Sequence, residues 1–500
     1  MNFGIIKRTV GWILLFEAAF FLVPLVTAAI YWEAEFFAFL ICMGICGGLG
    51  GLFLIGKPKS DKIYAKEGFI ITALCWIVLS AFGALPFVLA GTIPNYVDAL
   101  FETVSGFTTT GATIIDPEVG VESLPKCMLM WRSFTHWVGG MGVLVFIMAF
   151  LPLSGARNMH IMKAESPGPT VGKLVPKVRK TAAILYGIYG VLTVVQLVML
   201  LCGGMSLFDA VNTAFATAGT GGFSFKNSGF ADYNSYIQIV VTVFMLIFSI
   251  NFNSYYLLIK RKWKDVLTEE VKWFLIIVSA SILAVTLNVF LTETVNAMGD
   301  KMSFGEALKH AAFSVASVVS TTGFSTENFD TWPAFSHVIL VLMMFMGACA
   351  GSTGGGIKVS RFLLLGKSAS NEIGKMLHPK RVKRITMDGR AVDDEVMRSV
   401  YGYMIAYAVI FILSFAVISL DLYNLDYSNT NNGVFTTGFT SVATTLNNIG
   451  PGLGVVGPIG SFTDYSWWSK LVFIFDMLAG RLEIFPMLLL FAPMTWRKGA

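Results

Sequence analysis

Apolar residues fall in runs of about 20, the length a helix needs to cross the hydrocarbon core of a membrane. Ten runs qualify, near 10–31, 37–56, 68–90, 131–153, 182–203, 235–258, 272–292, 336–357, 397–420 and 468–493. The first is longer than the apolar stretch of a signal peptide and no small-residue cleavage pattern follows promptly, so it is read as a span. Four segments between spans are too apolar for ordinary loops and too short to cross. Each ends in a turn of small residues, and the four align on one glycine: ALFETVSGFTTTG at 99–111, AVNTAFATAGTGG at 210–222, AAFSVASVVSTTG at 311–323 and GFTSVATTLNNIG at 438–450. A helix of about 11 or 12 residues is roughly 17 Å long, near half a bilayer, so each segment is expected to descend from one face and stop at mid-membrane. The chain then returns as irregular backbone, which is tolerated at that depth only inside protein or beside water.

Composition agrees. Residues of the set AVILMFWYC make up 55% of the chain and charged residues 13%, too little polar surface for a soluble enzyme or a nucleic-acid binder. Threading ten spans from a cytoplasmic N-terminus places 29 of 36 basic and 11 of 31 acidic residues on one side, which the positive-inside rule makes cytoplasmic. Both termini then lie inside. The opposite face carries excess negative charge, which concentrates cations. The six cysteines suggest neither a disulfide framework nor a metal site.

The repeated unit is span, half-helix, glycine turn, span, four times, after an extra pair of spans. Four such units packed around an axis would bring their glycine turns together. Glycine there permits positive φ and close approach, and inward carbonyls from four turns can replace the hydration shell of a monovalent cation. The expected fold is an all-α polytopic membrane protein with ten transmembrane helices. The N-terminal helix pair covers 1–62, the repeats 63–156, 157–262, 263–366 and 396–500, and a basic cytoplasmic linker 367–395.

SGFTTTGAT at 105–113, GTGGFS at 219–224, STTGFST at 320–326, NNIGPGLG at 447–454, GACAGSTGGGIKVSR at 347–361 and GRLEIFP at 480–486 carry a resemblance. Through them nearly the whole chain resembles the TrkH/TrkG branch of the Trk–Ktr–HKT superfamily of potassium transporters. The resemblance implies potassium uptake, with rubidium as a substitute ion, through one pore per protomer of a homodimer in the bacterial cytoplasmic (inner) membrane. It also implies a cytoplasmic ring of TrkA-like RCK-domain proteins that binds nucleotides and regulates the gate. Lipid and potassium are the other partners, with no nucleic acid and no covalently bound cofactor. The candidate ion-binding residues are Thr110 and Gly111, Gly221 and Gly222, Thr322 and Gly323, Ile449 and Gly450. Glycine at 111, 222, 323 and 450 favours potassium, since sodium-preferring relatives commonly carry serine at the first. A sodium-permeable or sodium- or proton-coupled transporter remains the alternative. The fourth turn, with Asn447, Asn448 and Ile449, and the second, with Gly221 in place of threonine, depart from the others.

A helix through Gly351, Ser352, Thr353, Gly354, Gly355 and Gly356 should break, at about 0.8–1 kcal/mol per glycine relative to alanine. In the family this stretch is an intramembrane gating loop, and Lys358 and Arg481 join it as candidate gate residues, Arg481 projecting into the pore. Close helix packing through small residues, and a structural ion pair for Arg481, are the plainer readings. The stretch is not a phosphate-binding loop, because Ile357 separates Gly356 from Lys358 and no strand precedes it. Glu17 is expected to pair with a neighbouring span, Arg132 and His136 to buttress the first half-helix, and Asp98 and Asp209 to cap two half-helices. An enzyme would need a catalytic constellation, and the five histidines form no HExxH. An inverted-repeat transporter fits poorly, because all four units share one orientation.

Overall fold

The helices begin and end where local chemistry allows. The computed structural model describes residues 3–55, 65–142, 178–295, 299–379, 384–428, 430 and 432–496. The N-terminal pair is α1 (Phe3–Phe20) with α2 (Leu22–Tyr31), and α3 (Phe36–Leu54). Then follow α4 (Ala65–Gly83) with α5 (Leu85–Leu89), the half-helix α6 (Tyr96–Phe107) and α7 (Lys126–Gly140). The second unit holds α8 (Val178–Cys202), the half-helix α9 (Leu207–Gly219), α10 (Ser235–Ser249) and α11 (Phe252–Ile259). The third holds α12 (Glu269–Leu291), the half-helix α13 (Phe304–Val319), α14 (Ala334–Met346) and α15 (Val359–Leu377). The fourth holds α16 (Asp394–Ile418), the half-helix α17 (Val434–Leu446), α18 (Trp467–Arg481) and α19 (Phe485–Phe491).

Among the described residues, six helical segments are long and apolar enough to cross a membrane: Phe3–Tyr31, Phe36–Leu54, Lys66–Leu89, Ala182–Cys202, Glu269–Leu291 and Asp394–Ile418. Several present apolar side chains outward, as lipid-facing helices do. Val191 on α8, Ile276 on α12 and Ile405 on α16 are all more than half exposed.

Three of the other expected spans, 235–258, 336–357 and 468–493, are not straight helices. The run at 235–258 bends by 91° between α10 and α11. The run at 336–357 is helical only to Met346, where Gly347 takes φ +62°. The run at 468–493 breaks after Arg481, where Glu483 and Ile484 adopt positive φ of 54° and 70°. Of the run at 131–153, residues from 143 on lie outside the described residues, as does most of the basic segment 154–181. Two of these breaks satisfy each other. The amide of Cys349 donates to Ser249 O at 3.1 Å and the amide of Phe252 to Gly351 O at 3.0 Å, so backbone groups freed by the bend are paired by the broken third-unit span.

The expected linker at 367–395 starts inside a helix, since α15 runs to Leu377. Beyond it an antiparallel pair, Thr386–Met387 with Arg390–Ala391, is a small exception to the all-α expectation. Asp388 Oδ1 accepts from the Glu269 amide at 2.7 Å and so ties that hairpin to the start of α12.

Candidate functional site

Three of the four half-helices start on side-chain caps. Asn95 accepts from the Val97 amide, Ser206 from the Asp209 amide, and Ser303 forms a capping box with Glu306. Asp98 and Asp209 are therefore not the caps. They stand in the first turns, where Asp98 pairs with Lys470 at 2.7 Å and Asp209 accepts from the Tyr233 hydroxyl at 3.1 Å. At their other ends all four half-helices pass into the same backbone pattern. A left-handed residue, Thr109, Thr220, Thr321 or Asn448, is followed two positions later by a glycine at positive φ: Gly111 at 79°, Gly222 at 83°, Gly323 at 84° and Gly450 at 96°.

These glycines meet one another in cyclic order. A Cβ added to Gly111 would lie 2.1 Å from Gly221 O, one on Gly222 1.8 Å from Thr322 O, and one on Gly323 2.1 Å from Ile449 O. A Cβ on Gly450 would lie 2.7 Å from Thr110 O, which closes the ring. Each turn's glycine thus packs on the carbonyl that precedes the next turn's glycine, and glycine is required twice over, by conformation and by space. All eight residues expected at the ion site are brought together. Gly111, Gly222, Gly323 and Gly450 also line a cavity of about 130 Å³ on the side toward which the return segments run.

Polar groups behind the ring hold each turn differently. Glu102 on α6 accepts from the Ile114 amide at 3.0 Å and from Arg132 Nε at 2.7 Å, and both groups are buried. Arg132 also donates to Ser224 O at 3.0 Å in the second turn's return segment. His136 Nδ1 bonds Gly106 O at 2.7 Å, so Arg132 and His136 both hold the first half-helix as expected, and both reach the second turn as well. In the fourth turn Asn448 donates to Thr110 Oγ1 at 3.0 Å and to Met477 O at 2.8 Å, while Asn447 donates to the Tyr407 hydroxyl at 2.8 Å. The asparagines that set this turn apart in sequence are its ties to the first turn and to neighbouring helices.

The loop at 347–358 lies against the inner ends of the third and fourth turns. The Gly355 amide donates to Thr321 Oγ1 at 2.7 Å, a Cβ on Gly354 would come 3.0 Å from Ser320 O, and one on Gly355 2.8 Å from Asn447 O. Lys358 is buried and folds its ammonium onto the loop's own carbonyls, Gly354 O and Gly355 O. Arg481 reaches the loop from α18. It donates to Thr353 O at 2.8 Å and, on the other side, to Gly139 O and to Gly140 O at 2.7 Å. Gly351, Ser352, Gly354, Gly355, Gly356, Lys358 and Arg481 line a second cavity, of about 110 Å³.

Some contributors went unnoticed in sequence. Glu270 on α12 is buried and accepts from the Ala350 amide at 2.8 Å, within the loop, and from the Ser360 amide at 3.1 Å, in the first turn of α15 that follows it. It reads in sequence only as an acidic residue of a first helical turn, and no local signal marks its partners 80 and 90 positions away. Asp330 likewise accepts from the Gly454 amide at 2.6 Å and from Asn432 Nδ2 at 2.7 Å, joining the third return segment to the fourth unit. Glu483, a neighbour of Arg481 in sequence, pairs instead with Arg361. Glu17, expected to pair with an adjacent span, is buried against Gly83 of α4, and its carboxyl oxygens find no hydrogen-bond partner among the described residues.

Comparison with known proteins adds to this geometry. Residues 34–498 match the family profile described as TrkH, cation transport protein. The chain is 35% identical over 508 residues, covering all of both chains, to the Trk system potassium uptake protein TrkH of Escherichia coli K12. It is 33% identical to the TrkG protein of the same strain, covering 99% of each. The crystal structure of the potassium transporter TrkH from Vibrio parahaemolyticus matches with a TM-score of 0.86 at 33% identity, covering 99% of this chain and all of that one. A family profile and curated relatives that span nearly the whole sequence establish that the chain belongs to the TrkH family of cation transport proteins, and that it is a transporter and not an enzyme.

Proposed function

We propose that the protein takes up potassium across the bacterial cytoplasmic membrane through the ring formed by its four glycine turns. The observation that carries this reading is the closed cyclic contact of Gly111, Gly222, Gly323 and Gly450 with the carbonyls of Gly221, Thr322, Ile449 and Thr110. Preorganised carbonyls at the ends of four half-helices form a site that substitutes for the water shell of a desolvated monovalent cation. The curated relatives are named as potassium uptake proteins, which favours potassium as the cargo.

The 347–358 loop, with Lys358 and Arg481, is the gate in this reading. Its glycine-rich backbone abuts the inner ends of two turns, and Arg481 ties it across to α7. Permeation would require those hydrogen bonds to open. A homodimer with one pore per protomer, and a TrkA-like nucleotide-binding ring on the basic cytoplasmic side, complete the proposal on the strength of the family resemblance.

Rubidium uptake into liposomes carrying the purified protein tests it, with sodium as competitor. Wild-type uptake should resist sodium, and Gly323→Ser should degrade that selectivity, because an added Cβ meets Ile449 O at 2.1 Å and Pro451 Cδ at 2.7 Å. Wild type that moves neither ion, even with its cytoplasmic partner supplied, would exclude the pore assignment.

A further inference from the structure

The second turn departs from the others at the position before its glycine. Thr110, Thr322 and Ile449 precede Gly111, Gly323 and Gly450, whereas Gly221 precedes Gly222. Backbone conformation does not ask for glycine there, since Gly222 lies in the left-handed region and Gly221 does not. Space does. A Cβ added at 221 would fall 2.1 Å from Cγ and 2.2 Å from Nδ1 of His136, overlapping the imidazole ring. That ring comes from α7 of the preceding unit and is fully buried.

The imidazole is bonded at both ends. Nδ1 lies 2.7 Å from Gly106 O, in the last turn of α6, and Nε2 lies 3.2 Å from the Phe223 amide nitrogen. A carbonyl can only accept and an amide N–H can only donate, so these partners select the neutral tautomer with its proton on Nδ1. Phe223 directly follows Gly222, and its ring lies against the imidazole with centroids 4.3 Å apart. In the first and third turns the corresponding side chains bond within their own turns, Thr110 to Thr108 at 2.8 Å and Thr322 to Ser320 at 2.6 Å.

We propose that His136 supplies, from the neighbouring unit, the side chain that the second turn lacks, and thereby sets that turn's carbonyls for potassium over sodium. His136 is a positioning residue, since it touches the turn and not the ion. A ring anchored on Gly106 O of α6, bonded to the Phe223 amide on one side of Gly222 and packed on Gly221 on the other, holds that backbone more rigidly than a turn with no side chain could manage, and a carbonyl site discriminates only as well as its carbonyls are held.

The inference rests on the potassium reading above, and a double-mutant cycle separates the two. Rubidium uptake with sodium competition is measured for wild type, His136→Ala, Gly221→Thr and the double variant. Each single change should cost about tenfold in potassium-over-sodium discrimination, the effect of one or two net hydrogen bonds. The double variant should recover to within about threefold of wild type, because threonine takes the vacated place. A double variant no better than the singles, or either single with wild-type discrimination, overturns the inference. If a single variant does not purify folded, recovery of folded, rubidium-conducting protein in the double supports it equally, and failure to recover overturns it. A wild type that takes up no rubidium sinks the pore reading and this inference together, whereas a conducting wild type with an additive cycle sinks this inference alone.

Discussion

Arg481 shows how one residue can be placed against the cost of burying charge. Its guanidinium donates to carbonyls from both sides of the inner cavity, Thr353 O on the loop and Gly140 O on α7, so its charge is met by backbone dipoles. A potassium ion about 5 Å away would meet roughly 3 kcal/mol of repulsion at an effective dielectric constant of about 20. Arg481→Gln should therefore raise rubidium uptake measured without any cytoplasmic partner by about tenfold or more. Unchanged uptake would assign Arg481 to holding the break after α18 and not to the barrier. That this arginine needs polar partners inside the protein was legible in sequence, because charge inside an apolar run is costly and rare. Its partners were not, since both lie more than 100 positions away.

At the scale of elements, the loop at 347–358 is a broken helix whose polar backbone is paired by other elements. Glu270 accepts one amide from the loop and one from the start of α15, and Thr321 and the α10 bend hold the loop's middle. Charged acceptors of this kind contribute about 1.5–3 kcal/mol, so Glu270→Gln should loosen the loop without changing its bulk. Amide hydrogen exchange across 347–360 should quicken by at least about tenfold, with a smaller rise in basal rubidium uptake. Exchange at the wild-type rate would mean that the loop is held by packing alone. The break itself was predictable from five glycines in the ten positions 347–356. The bend in 235–258 was not, because that run has no comparable concentration of glycine. It bends because the loop offers it hydrogen-bond partners, which is a tertiary reason.

For the molecule as a whole, the charge division predicts an orientation that can be checked directly. In a variant whose six native cysteines are replaced, Asn227→Cys should react with a membrane-impermeant thiol reagent from outside the cell. Lys375→Cys should react only when the reagent reaches the inner face. Reversed labelling would invert the topology and with it the direction of the pore. Asn227 lines the cavity beside the glycine ring, and Lys375 lies near the exposed end of α15, so both positions are accessible without disturbing the turns.

The length of the apolar runs alone placed the apolar segments, and the recurrence of one glycine after four half-helices pointed to a shared axis. Those signals are local or repeated, so one chain carries them without an account of its contacts. Which spans stay straight, how Arg481 and Glu270 are paired, and why Gly221 is glycine were decided only by the fold. Each depends on a group brought close from a distant part of the chain: a loop that completes a bend, carbonyls that receive a guanidinium, an imidazole that fills the place of a side chain. Covalent order carries no record of such proximity, because it is created only when distant segments of the chain pack together.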